Sequence, residues 1–538
     1  MNLYCLFKLT IVFVFFSASI QEIYSSQASD SSPPGVVSKQ SSPVLALVAQ
    51  HQTPLASLGG NLDLVSKEKK VSKEKTDYLK VTLKAYGYKQ SVCDHIASFC
   101  DLHSGMIWGA TAHTCRLAVD KMPRLHSSVT GAIRLPSIGG CPLLVRPFSS
   151  LLAPPFVRTE NKGGLLPIVR RFLSIATSNI TIVSDQFTDL GLITMLSELM
   201  QKVEADTKKP LNVQIICGDN PCKVNHRNRA EAARLSKVRK NGIIEALKAA
   251  HIGYREITYP EIPASGSRPR KPRMHNKFIL IDNFGVLVGS PNASWRAYTT
   301  NTETFMAVYS RPFCDVYSAY TRYIIETDGK SLAERTGGGD HSSSLYLAME
   351  AVQKYMNAFN AITACPLKVC LAPIGDIKPF VINNLLNALS IDINMFLVSR
   401  ASDTSNDVVA ILKREGELKR GTGEKTKINL RVDGNAYDKI PDGLCMVGAL
   451  KALDPNAFNR KLKKPNITIE KIYVENGVMH DKLILVLRSV AGEVGHTVVI
   501  GSAGFSDNVQ DNYNAENMVS INDPIIYDFF MRHFKLTK

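Results

Sequence analysis

The sequence predicts an α/β protein that consists of two similar lobes. Strand-like and helix-like segments alternate from about residue 146 onward, and the alternation restarts after a Gly- and Ser-rich segment at 326–344. A short His-x-Lys pattern also occurs once in each half of the chain. With 538 residues, the chain is too long for one ordinary domain. We therefore expect lobe 1 at 146–330 and lobe 2 at 345–538.

The residues before the lobes divide into three predicted regions. Residues 1–26, MNLYCLFKLTIVFVFFSASIQEIYSS, place a lysine before an apolar stretch and then small polar residues, which is the layout of a secretory signal peptide. The stretch is short for a membrane span, although a retained signal anchor stays open. Residues 27–75 are rich in Ser, Pro, Lys and Gln and are predicted to be a flexible linker. Residues 76–145 are predicted to be a Cys-containing accessory region.

The cysteine content agrees with export. Of eleven cysteines, ten remain once Cys5 leaves with the signal peptide, and an even number in an exported chain suggests disulfide bonds. CGDNPC (217–222) and CPLKVC (365–370) offer short-loop bridges, and the four cysteines between 93 and 141 lie in the accessory region, which they could staple. We therefore expect a secreted protein with disulfides, located extracellularly, in a periplasm or in a lumen.

The elements within the two lobes follow the same order. In lobe 1 the pattern predicts strands and helices in turn: strand NITIVSDQF, helix LITMLSELMQKVEA, strand LNVQIICG, helix AEAARLSKVRKNGIIEALKAA and strand IGYREITY. In lobe 2 the matching series is strand LKVCLAPI, helix PFVINNLLNALSI, strand INMFLVSR, helix NDVVAILKREGELK and strand KINLRVDG. This correspondence predicts an internal structural repeat.

One motif makes the repeat concrete. Lobe 1 contains MHNKFILIDNFGVLVGSPN at 274–292, and lobe 2 contains MHDKLILVLRSVAGEVGHTVVIGSAG at 479–504. In both copies a His-x-Lys opens an apolar strand, so the imidazole and the ammonium group share one face of that strand. The Gly-Ser that follows lets another group approach the backbone closely. Further on, NTETFMAV and NAENMVSI each place Asn-x-Glu before an apolar strand, with Glu303 and Glu516 as the acids.

These residues resemble the signature of the phospholipase D superfamily, His-x-Lys-x4-Asp-x6-Gly-Ser-x-Asn. The first copy matches at every defined position: His275, Lys277, Asp282, Gly289, Ser290 and Asn292. The second copy has His480, Lys482, Gly501 and Ser502, but Leu487 replaces the Asp and Gly504 replaces the Asn. Asn508, in the next turn, is our candidate for the missing amide. The resemblance covers roughly 146–538.

The resemblance implies a fold and a mechanism. The fold would be two lobes, each a mixed β-sheet flanked by helices, related by a pseudo-twofold axis with the active site between them. The mechanism would be phosphodiester cleavage through a covalent phosphohistidine, without a metal or a cofactor. One histidine would attack phosphorus, and the other would protonate the leaving oxygen and then activate water. By resemblance His275 is the nucleophile and His480 the general acid and base, and the reverse assignment stays open.

The remaining site residues receive roles from the same resemblance. Lys277 and Lys482 would hold the phosphate oxygens whose charge builds up in the transition state. Glu303 and Glu516 would each bond the far nitrogen of a histidine and so fix its tautomer. The expected substrate-binding residues are Ser290, Asn292, Ser502 and Asn508. The expected structural residues of the motif are Asp282, Gly289 and Gly501.

Charge and composition narrow the substrate without deciding it. The composition, 45% hydrophobic and 21% charged, is typical of a globular protein and excludes a disordered or fibrous chain. The formal net charge of +16 favours anionic partners, and the basic segment GSRPRKPRMHNK (266–277) leads directly into the first motif. We expect a phospholipase D acting at a phospholipid membrane surface. A nuclease acting on DNA or RNA and a weakly catalytic lipid-binding or toxin-like scaffold are the alternatives, and no obligate protein partner is inferred.

Overall fold

The computed structural model describes most of the two lobes. The described residues are 133–138, 141–152, 165–219, 222, 229–263, 271–362, 365–398, 408–418, 425–439, 449–450, 453–454, 466–490, 493–506, 509 and 511–537. The predicted signal peptide, the linker and most of the accessory region lie outside them, as do residues 266–270 of the basic segment and Asn508. Among the described helices, none has the length and apolar character needed to cross a membrane.

Lobe 1 contains a mixed eight-stranded sheet in the order β1-β2-β8-β7-β6-β3-β4-β5. Its strands are β1 Ile133–Ile138, β2 Cys141–Ser149, β3 Asn179–Ser184, β4 Asn212–Gly218, β5 Gly253–Ile257, β6 Lys277–Ile281, β7 Gly285–Gly289 and β8 Thr304–Tyr309. Its helices are α1 Leu166–Leu173, α2 Leu190–Thr207, α3 Arg229–Ala249, α4 Trp295–Thr299 and α5 Arg311–Glu326. Strands β3, β4 and β5 are parallel, and the other neighbours are antiparallel.

Two helices connect the lobes, α6 Leu332–Arg335 and α7 Ser344–Asn360. The sheet of lobe 2 has seven strands in the order β12-β11-β10-β13-β14-β15-β9. These are β9 Leu367–Ala372, β10 Ala388–Met395, β11 Lys427–Asp433, β12 Ile467–Ile472, β13 Lys482–Val490, β14 Glu493–Gly501 and β15 Glu516–Asn522. The described helices of lobe 2 are α8 Ile377–Leu385, α9 Val408–Glu417, α10 Gly434–Lys439 and α11 Pro524–Leu536. Apart from β1, the two sheets have the same strand order, which confirms the predicted repeat.

The burial of the strands explains the order of each sheet. The central strands β6 and β7 are buried at every position, as expected for strands covered on both faces, whereas the edge strand β5 alternates between exposed and less exposed residues. The helices that follow the strands begin at ordinary caps. Asp189 caps α2 and Ser294 caps α4, each by accepting a hydrogen bond from a backbone N–H of the first turn.

Helices α5, α7 and α11 lie between the two sheets. Their buried side chains, such as Tyr317 and Phe530, share one apolar core with Phe278 of the first sheet and Leu485 of the second. The outer face of each sheet is covered by one further core. The core of lobe 1 lies under α1–α3, and the core of lobe 2 lies under α8 and α9. The two lobes are therefore joined by a common apolar layer that packs against both sheets.

Lobe 1 begins earlier than the predicted residue 146. Strand β1 starts at Ile133 and pairs with β2, which in turn pairs with β8 in the same sheet. The last part of the expected accessory region is therefore part of lobe 1. The Gly- and Ser-rich segment is not an exposed spacer throughout, because Arg335 is fully buried and its guanidinium lies 4.0 Å from the centre of the Tyr259 ring.

The two short-loop disulfides predicted from CGDNPC and CPLKVC are wrong, because these four cysteines are buried free thiols. Cys365 belongs to the central core and Cys370 to the outer core of lobe 2, so they face opposite sides of the sheet. The Cys222 thiol instead contacts the Phe187 carbonyl oxygen at 3.5 Å. Burial raises the pKa of Cys217 and Cys222, which makes both thiols poor nucleophiles.

Candidate active site

The two HxK strands enter the site through matching contacts between the lobes. The backbone N–H of His275 donates to the Ala515 carbonyl oxygen at 2.9 Å, and that of His480 donates to the Thr302 carbonyl oxygen at 3.0 Å. Each histidine is thus hydrogen-bonded to the residue just before the glutamate of the other lobe. This exchange brings β6, β8, β13 and β15 to one place, as the pseudo-twofold prediction requires.

Each histidine forms a dyad with the glutamate of the opposite lobe. His275 Nδ1 lies 2.9 Å from Glu516 Oε1, and His480 Nδ1 lies 2.9 Å from Glu303 Oε1. Burial acts to raise the pKa of both glutamates, but the charge and hydrogen bond of the facing histidine, helped by a lysine, lower it overall. Both glutamates are therefore carboxylates that accept Nδ1–H, which leaves Nε2 of each ring to meet a substrate.

The serines of the Gly-Ser pairs support these glutamates. Ser290 Oγ donates to Glu303 Oε2 at 2.5 Å, and Ser502 Oγ donates to Glu516 Oε2 at 2.6 Å. Both serines are fully buried, and a hydroxyl has only one proton to donate. Each serine therefore uses its proton to hold a glutamate, and the binding of substrate by Ser290 and Ser502 stays a prediction.

Two asparagines complete this support, and the sequence analysis gave them no role. Asn301 Nδ2 donates to Glu303 Oε1 at 3.2 Å, and Asn514 Nδ2 donates to Glu516 Oε1 at 3.1 Å. They are the first residues of the two Asn-x-Glu segments, so the repeat already contained the signal that identifies them. Residues two apart on an extended chain point the same way, which lets the amide reach the carboxylate.

The two lysines are also placed alike. Lys277 Nζ donates to the His275 carbonyl oxygen at 2.8 Å, and Lys482 Nζ donates to the His480 carbonyl oxygen at 2.7 Å. Each lysine is only 2% exposed, and burial lowers the pKa of both, to about 7 for Lys482. An ammonium group has three donors, so each lysine can hold its own strand and still donate to a phosphate oxygen.

The amide expected to bind phosphate differs between the lobes. Asn292 is buried, and its Oδ1 has no hydrogen-bond partner within the described part of the chain. Gly504 takes the same place in lobe 2, because the bridges Phe187–Ala293 and Val398–Phe505 occupy equivalent positions. Asn508, our candidate for the missing amide, lies outside the described residues.

The structural residues of the motif lie away from the histidines. Asp282 sits in the turn after β6, where its carboxylate accepts three backbone N–H groups from residues 177–179 at 2.6–2.8 Å. In lobe 2 the strand β13 continues to Val490, so there is no turn at Leu487, which packs against the central core instead. A Cβ at Gly289 or Gly501 would lie 2.3 or 2.1 Å from a carbonyl oxygen of the next strand. Both glycines are therefore required for close strand packing.

One pair of residues breaks the symmetry of the site. Asp185 follows the end of β3, and Phe396 follows the end of β10 at the equivalent position. Burial acts to raise the pKa of Asp185, but the charges of His275, Lys277 and other nearby cations lower it overall, so it is a carboxylate. The sequence analysis missed Asp185 because lobe 2 contains no matching acid to make it part of a repeat.

The environment of His480 differs accordingly. The Phe396 ring lies 5.1 Å from the His480 ring and 5.3 Å from Lys482 Nζ, measured from ring centres. The side chain of His480 is 11% exposed and that of His275 is 21% exposed. Burial, opposed by Glu303 and assisted by Lys482, lowers the pKa of His480 to about 4. His480 is therefore a neutral imidazole at physiological pH.

Comparisons with known proteins found one family model and several solved structures to which the chain is similar. Residues 169–325, within lobe 1, match a family model described as "Cardiolipin synthase, PLD-like domain". No curated protein matches the chain. Three solved structures are similar to it in fold.

A polyphosphate kinase of Porphyromonas gingivalis is 13% identical at a TM-score of 0.35, over 69% of this chain and 48% of that one. The chain therefore spans about half the length of that kinase. A phosphatidylserine synthase of Haemophilus influenzae Rd KW20 is 9% identical at a TM-score of 0.45, over 73% and 86% of the two chains. NucT of Helicobacter pylori is 17% identical at a TM-score of 0.25, over 35% and 99%. Identities and TM-scores this low carry no information on substrate.

The family match and the site lead to the same assignment. The match covers the first HxK motif, and the second motif completes the site from lobe 2 with the same support for its histidine. Residues 169–325 of lobe 1 therefore match a PLD-like domain, and lobe 2 repeats its HxK motif and the support of its histidine.

Proposed function

We propose that the protein is a phospholipase D-type hydrolase that cleaves the head-group phosphodiester of phospholipids such as phosphatidylcholine. The observation that carries this proposal is the pair of His–Glu dyads, which cross between the lobes and place two imidazoles and two buried lysines in one site. These groups supply a nucleophile, an acid and the charge needed to hold a phosphate. The reaction needs no metal or cofactor in this proposal.

The chemistry proceeds in two displacements. In the first, Nε2 of one neutral imidazole forms a bond to phosphorus while the P–O bond to the head group breaks. The other imidazole, protonated, gives its Nε2 proton to the departing oxygen. In the second, water attacks phosphorus, gives a proton back to that imidazole, and the P–N bond breaks. The two lysines hold the non-bridging oxygens throughout.

An exposed apolar rim beside the site supports a lipid substrate. Leu190 and Trp295 are 56% and 53% exposed and are the first residues of α2 and α4. Their segments are joined by a hydrogen bond of 3.1 Å from Thr188 N–H to the Ala293 carbonyl oxygen. Arg296, also exposed, follows Trp295. Trp, Leu and a cation together are typical of a surface that contacts the interface of an anionic membrane.

The description of the matching family model points the same way, since it names cardiolipin synthase and cardiolipin is a phospholipid. Secretion, inferred from residues 1–26, belongs to the same proposal. Detection of the processed protein outside the cell, with an N-terminus near residue 27, would test it. A retained N-terminus in a membrane fraction would favour a signal anchor.

A nuclease is the second candidate. The net charge of +16 favours a polyanion, and an exposed Trp295 could stack on a nucleobase. The two candidates predict opposite results for the same pair of substrates, so one experiment can separate them.

The test compares wild type, His275→Ala and Trp295→Ala, all in EDTA, on two substrates. These are vesicles of phosphatidylcholine with a minor fraction of phosphatidylglycerol, and a labelled single-stranded oligonucleotide. We expect choline release by wild type, loss of it in His275→Ala, and an intact oligonucleotide. Oligonucleotide cleavage with intact vesicles would replace the phospholipase by the nuclease, and dependence on a metal would contradict the proposed mechanism.

Trp295→Ala tests the membrane rim separately. We expect about tenfold slower vesicle hydrolysis because the interfacial contact is lost, with unchanged cleavage of the soluble diester bis(4-nitrophenyl) phosphate. Leu347, which is 56% exposed on α7, provides a matched control, and Leu347→Ala should leave both rates unchanged. Equal loss on both substrates in Trp295→Ala would assign Trp295 to the site itself and not to a membrane contact.

A further inference from the structure

The carboxylate of Asp185 faces charged groups from both half-sites. It interacts with the charges of His275 and Lys277 from lobe 1 and with that of His480 from lobe 2. Asp185 directly follows β3, whose last residue, Ser184, pairs with Lys277. The carboxylate therefore lies where the two lobes meet, beside the groups that would hold the phosphodiester of a substrate.

The backbone around Asp185 is held by its neighbours. The Ala293 N–H donates to Ser184 Oγ at 2.9 Å, and Ser184 Oγ donates to the Gln186 carbonyl oxygen at 2.7 Å. A Cβ built at Gly218 would lie 3.2 Å from the Asp185 carbonyl oxygen and 3.3 Å from Asp185 Oδ1, so this part of the chain also packs closely against the end of β4. The position of Asp185 is therefore fixed by contacts that do not use hydrogen bonds of its carboxylate.

The carboxylate itself has unused capacity for a ligand. Asp185 is half-buried, and within the described part of the chain its carboxylate has no hydrogen-bond or ion-pair partner. The structural carboxylate of Asp282, in the same lobe, instead accepts five hydrogen bonds from residues 177–179. An ionised carboxylate offers several acceptor positions, and those of Asp185 are open to a group that enters the site.

A negative charge at this place is unfavourable for a phosphate alone. Burial acts to raise the pKa of Asp185, but the charges of His275, Lys277 and other nearby cations lower it overall, so the group is ionised. A carboxylate beside a bound phosphate repels it and weakens its binding. A positive group on the same substrate would offset this repulsion and add an attraction of its own.

The equivalent residue of lobe 2 suits a positive group as well. Phe396 is half-buried, and its ring centre lies 5.1 Å from that of the His480 ring, which Asp185 also faces. A quaternary ammonium group is attracted by a carboxylate through its charge and by an aromatic face through a cation–π contact. A substrate bound at His480 would therefore meet a carboxylate from lobe 1 and an aromatic ring from lobe 2.

We propose that Asp185 is a specificity-determining residue that binds the ammonium group of a phospholipid head group. The site would then take phosphodiesters whose alcohol carries a positive charge, such as choline or ethanolamine, in preference to those of an uncharged alcohol such as glycerol. This inference rests on the proposed function and names its class of head group. Asp185 exchanges no proton and forms no covalent bond in either displacement.

The first experiment measures head-group preference on one surface. Vesicles of equal parts phosphatidylcholine and phosphatidylglycerol are given to wild type and to Asp185→Asn, and the release of choline and of glycerol is followed in the same sample. Because both lipids share one membrane, differences in membrane binding cancel from the ratio of the two rates. We expect wild type to release choline faster than glycerol and Asp185→Asn to lower this ratio about tenfold.

Glu198→Gln is the matched control. Glu198 is exposed on α2, so this variant removes the same charge from the same lobe and should keep the wild-type ratio. If Asp185→Asn lowers both rates alike and leaves the ratio unchanged, Asp185 is a structural residue and the proposal is overturned.

The second experiment uses wild type and does not depend on the folding of a variant. Phosphocholine and 3,3-dimethylbutyl phosphate have nearly the same shape and differ by the positive charge of the ammonium group. Each is tested as an inhibitor of bis(4-nitrophenyl) phosphate hydrolysis. We expect phosphocholine to bind wild type at least about tenfold more tightly, and the two to bind Asp185→Asn about equally. Equal inhibition constants in wild type would contradict the proposal.

These results also separate the two levels of inference. Release of neither choline nor glycerol by wild type would overturn the proposed function, and the assignment of Asp185 with it. Release of both, at a ratio that Asp185→Asn does not change, would leave the phospholipase in place and remove only the role of Asp185.

Discussion

The two half-sites share their support and differ in what surrounds it. In each lobe a serine and an asparagine hold a glutamate, which holds the histidine of the other lobe, and a lysine bonds the carbonyl of its own histidine. The differences lie around this frame, at Asp185 against Phe396 and Asn292 against Gly504. The shared part therefore defines what both steps of the proposed reaction need, and the differing part gives the two histidines unequal surroundings.

The largest effect should come from the two glutamates. In Glu303→Gln and in Glu516→Gln we expect kcat for phosphatidylcholine to fall about 10²- to 10⁴-fold, because each amide can no longer stabilise the charge that develops on its histidine. The two variants should differ from each other on a second substrate. On bis(4-nitrophenyl) phosphate, whose leaving group needs no proton, the variant that impairs the acid should recover much of its first-step rate, and the variant that impairs the nucleophile should not.

Asn301→Ala and Asn514→Ala are the matched controls for these two variants. Each leaves its glutamate charged and removes only one neighbouring hydrogen bond, so losses of about tenfold or less are expected. Recovery of Glu516→Gln alone, measured as burst-phase 4-nitrophenol release, would identify His275 as the acid, and recovery of Glu303→Gln alone would identify His480 as the acid.

A second difference between the lobes concerns stability. The residue between His480 and Lys482 is Asp481, whose Oδ2 lies 2.7 Å from His533 Nε2, and His533 Nδ1 lies 2.6 Å from Ser149 Oγ. All three residues are buried, and they tie α11 to both sheets. A chain of Ser, His and Asp suggests a catalytic triad, but without access to solvent it serves as a structural connection.

The equivalent group in lobe 1 is neutral. Asn276 Nδ2 donates to the Tyr320 hydroxyl at 3.1 Å, at the matching place on α5. Asp481 Oδ2 is hydrogen-bonded to two buried groups, His533 Nε2 and Asn394 Nδ2, so Asp481→Leu removes both bonds and should lower the free energy of unfolding by about 2–6 kcal/mol. Asn276→Leu removes one such bond and should lower it by only about 1–3 kcal/mol. Urea denaturation would measure both, and equal losses would mean that the two bonds of Asp481 add nothing beyond the single bond of Asn276.

The features of the fold and the site that could be predicted from the sequence are mostly those that occur in both lobes. Three patterns occur in both lobes: the alternation of strands and helices, the order of these elements, and the HxK, Gly-Ser and Asn-x-Glu residues. A pattern that occurs twice seldom arises by chance. The partner of each histidine could not be derived in this way. Glu303 follows His275 in sequence yet bonds His480, because pairing across the lobes depends on packing of α5, α7 and α11.

Several features were missed or misread, including some that occur in both lobes. Asp185 has no acidic counterpart in lobe 2, and the bonds from the serines to the glutamates were missed because sequence does not show where a hydroxyl proton goes. The cysteine spacing in CPLKVC suggested a bridge, but Cys365 precedes β9 and packs into the central core, whereas Cys370 lies on β9 and packs into the outer core of lobe 2. The spacing of residues in the sequence therefore predicted which side chains share a face of one strand, but it did not predict which residues meet across the sheet.

The pH dependence of kcat/KM should show the titration of Lys482 in lobe 2. Burial lowers the pKa of Lys482 to about 7, and a lysine is cationic below its pKa, so its hold on phosphate weakens as pH rises through that value. We expect kcat/KM to fall by up to about tenfold per pH unit above pH 7, whereas kcat falls less because a bound anion keeps the lysine protonated. Lys482→Arg should lose this basic limb, since arginine stays charged.

Persistence of the limb at pH 7 in Lys482→Arg would assign it to another group, and a flat profile up to pH 9 in wild type would show that Lys482 stays charged in the free enzyme. On the acid side, His480 should remain neutral down to about pH 4. A first step that keeps its rate well below pH 6 would identify His480 as the nucleophile, because an ordinary histidine would already be protonated there.

The smallest effect should come from giving lobe 2 the asparagine that lobe 1 has at the predicted phosphate site. Gly504 stands where lobe 1 has Asn292, and a Cβ at Gly504 would meet only the Leu397 carbonyl oxygen, at 3.4 Å, which is an ordinary contact. Gly504→Asn should therefore fold normally and add one amide donor to the pocket, lowering KM for phosphatidylcholine by about threefold with kcat within a factor of two. Asn292→Gly, the reciprocal variant, should raise KM by about the same factor or more. If Gly504→Asn instead lowers kcat by more than tenfold, the space at Gly504 is occupied by substrate, and lobe 2 lacks the asparagine because a bulky part of the lipid lies there.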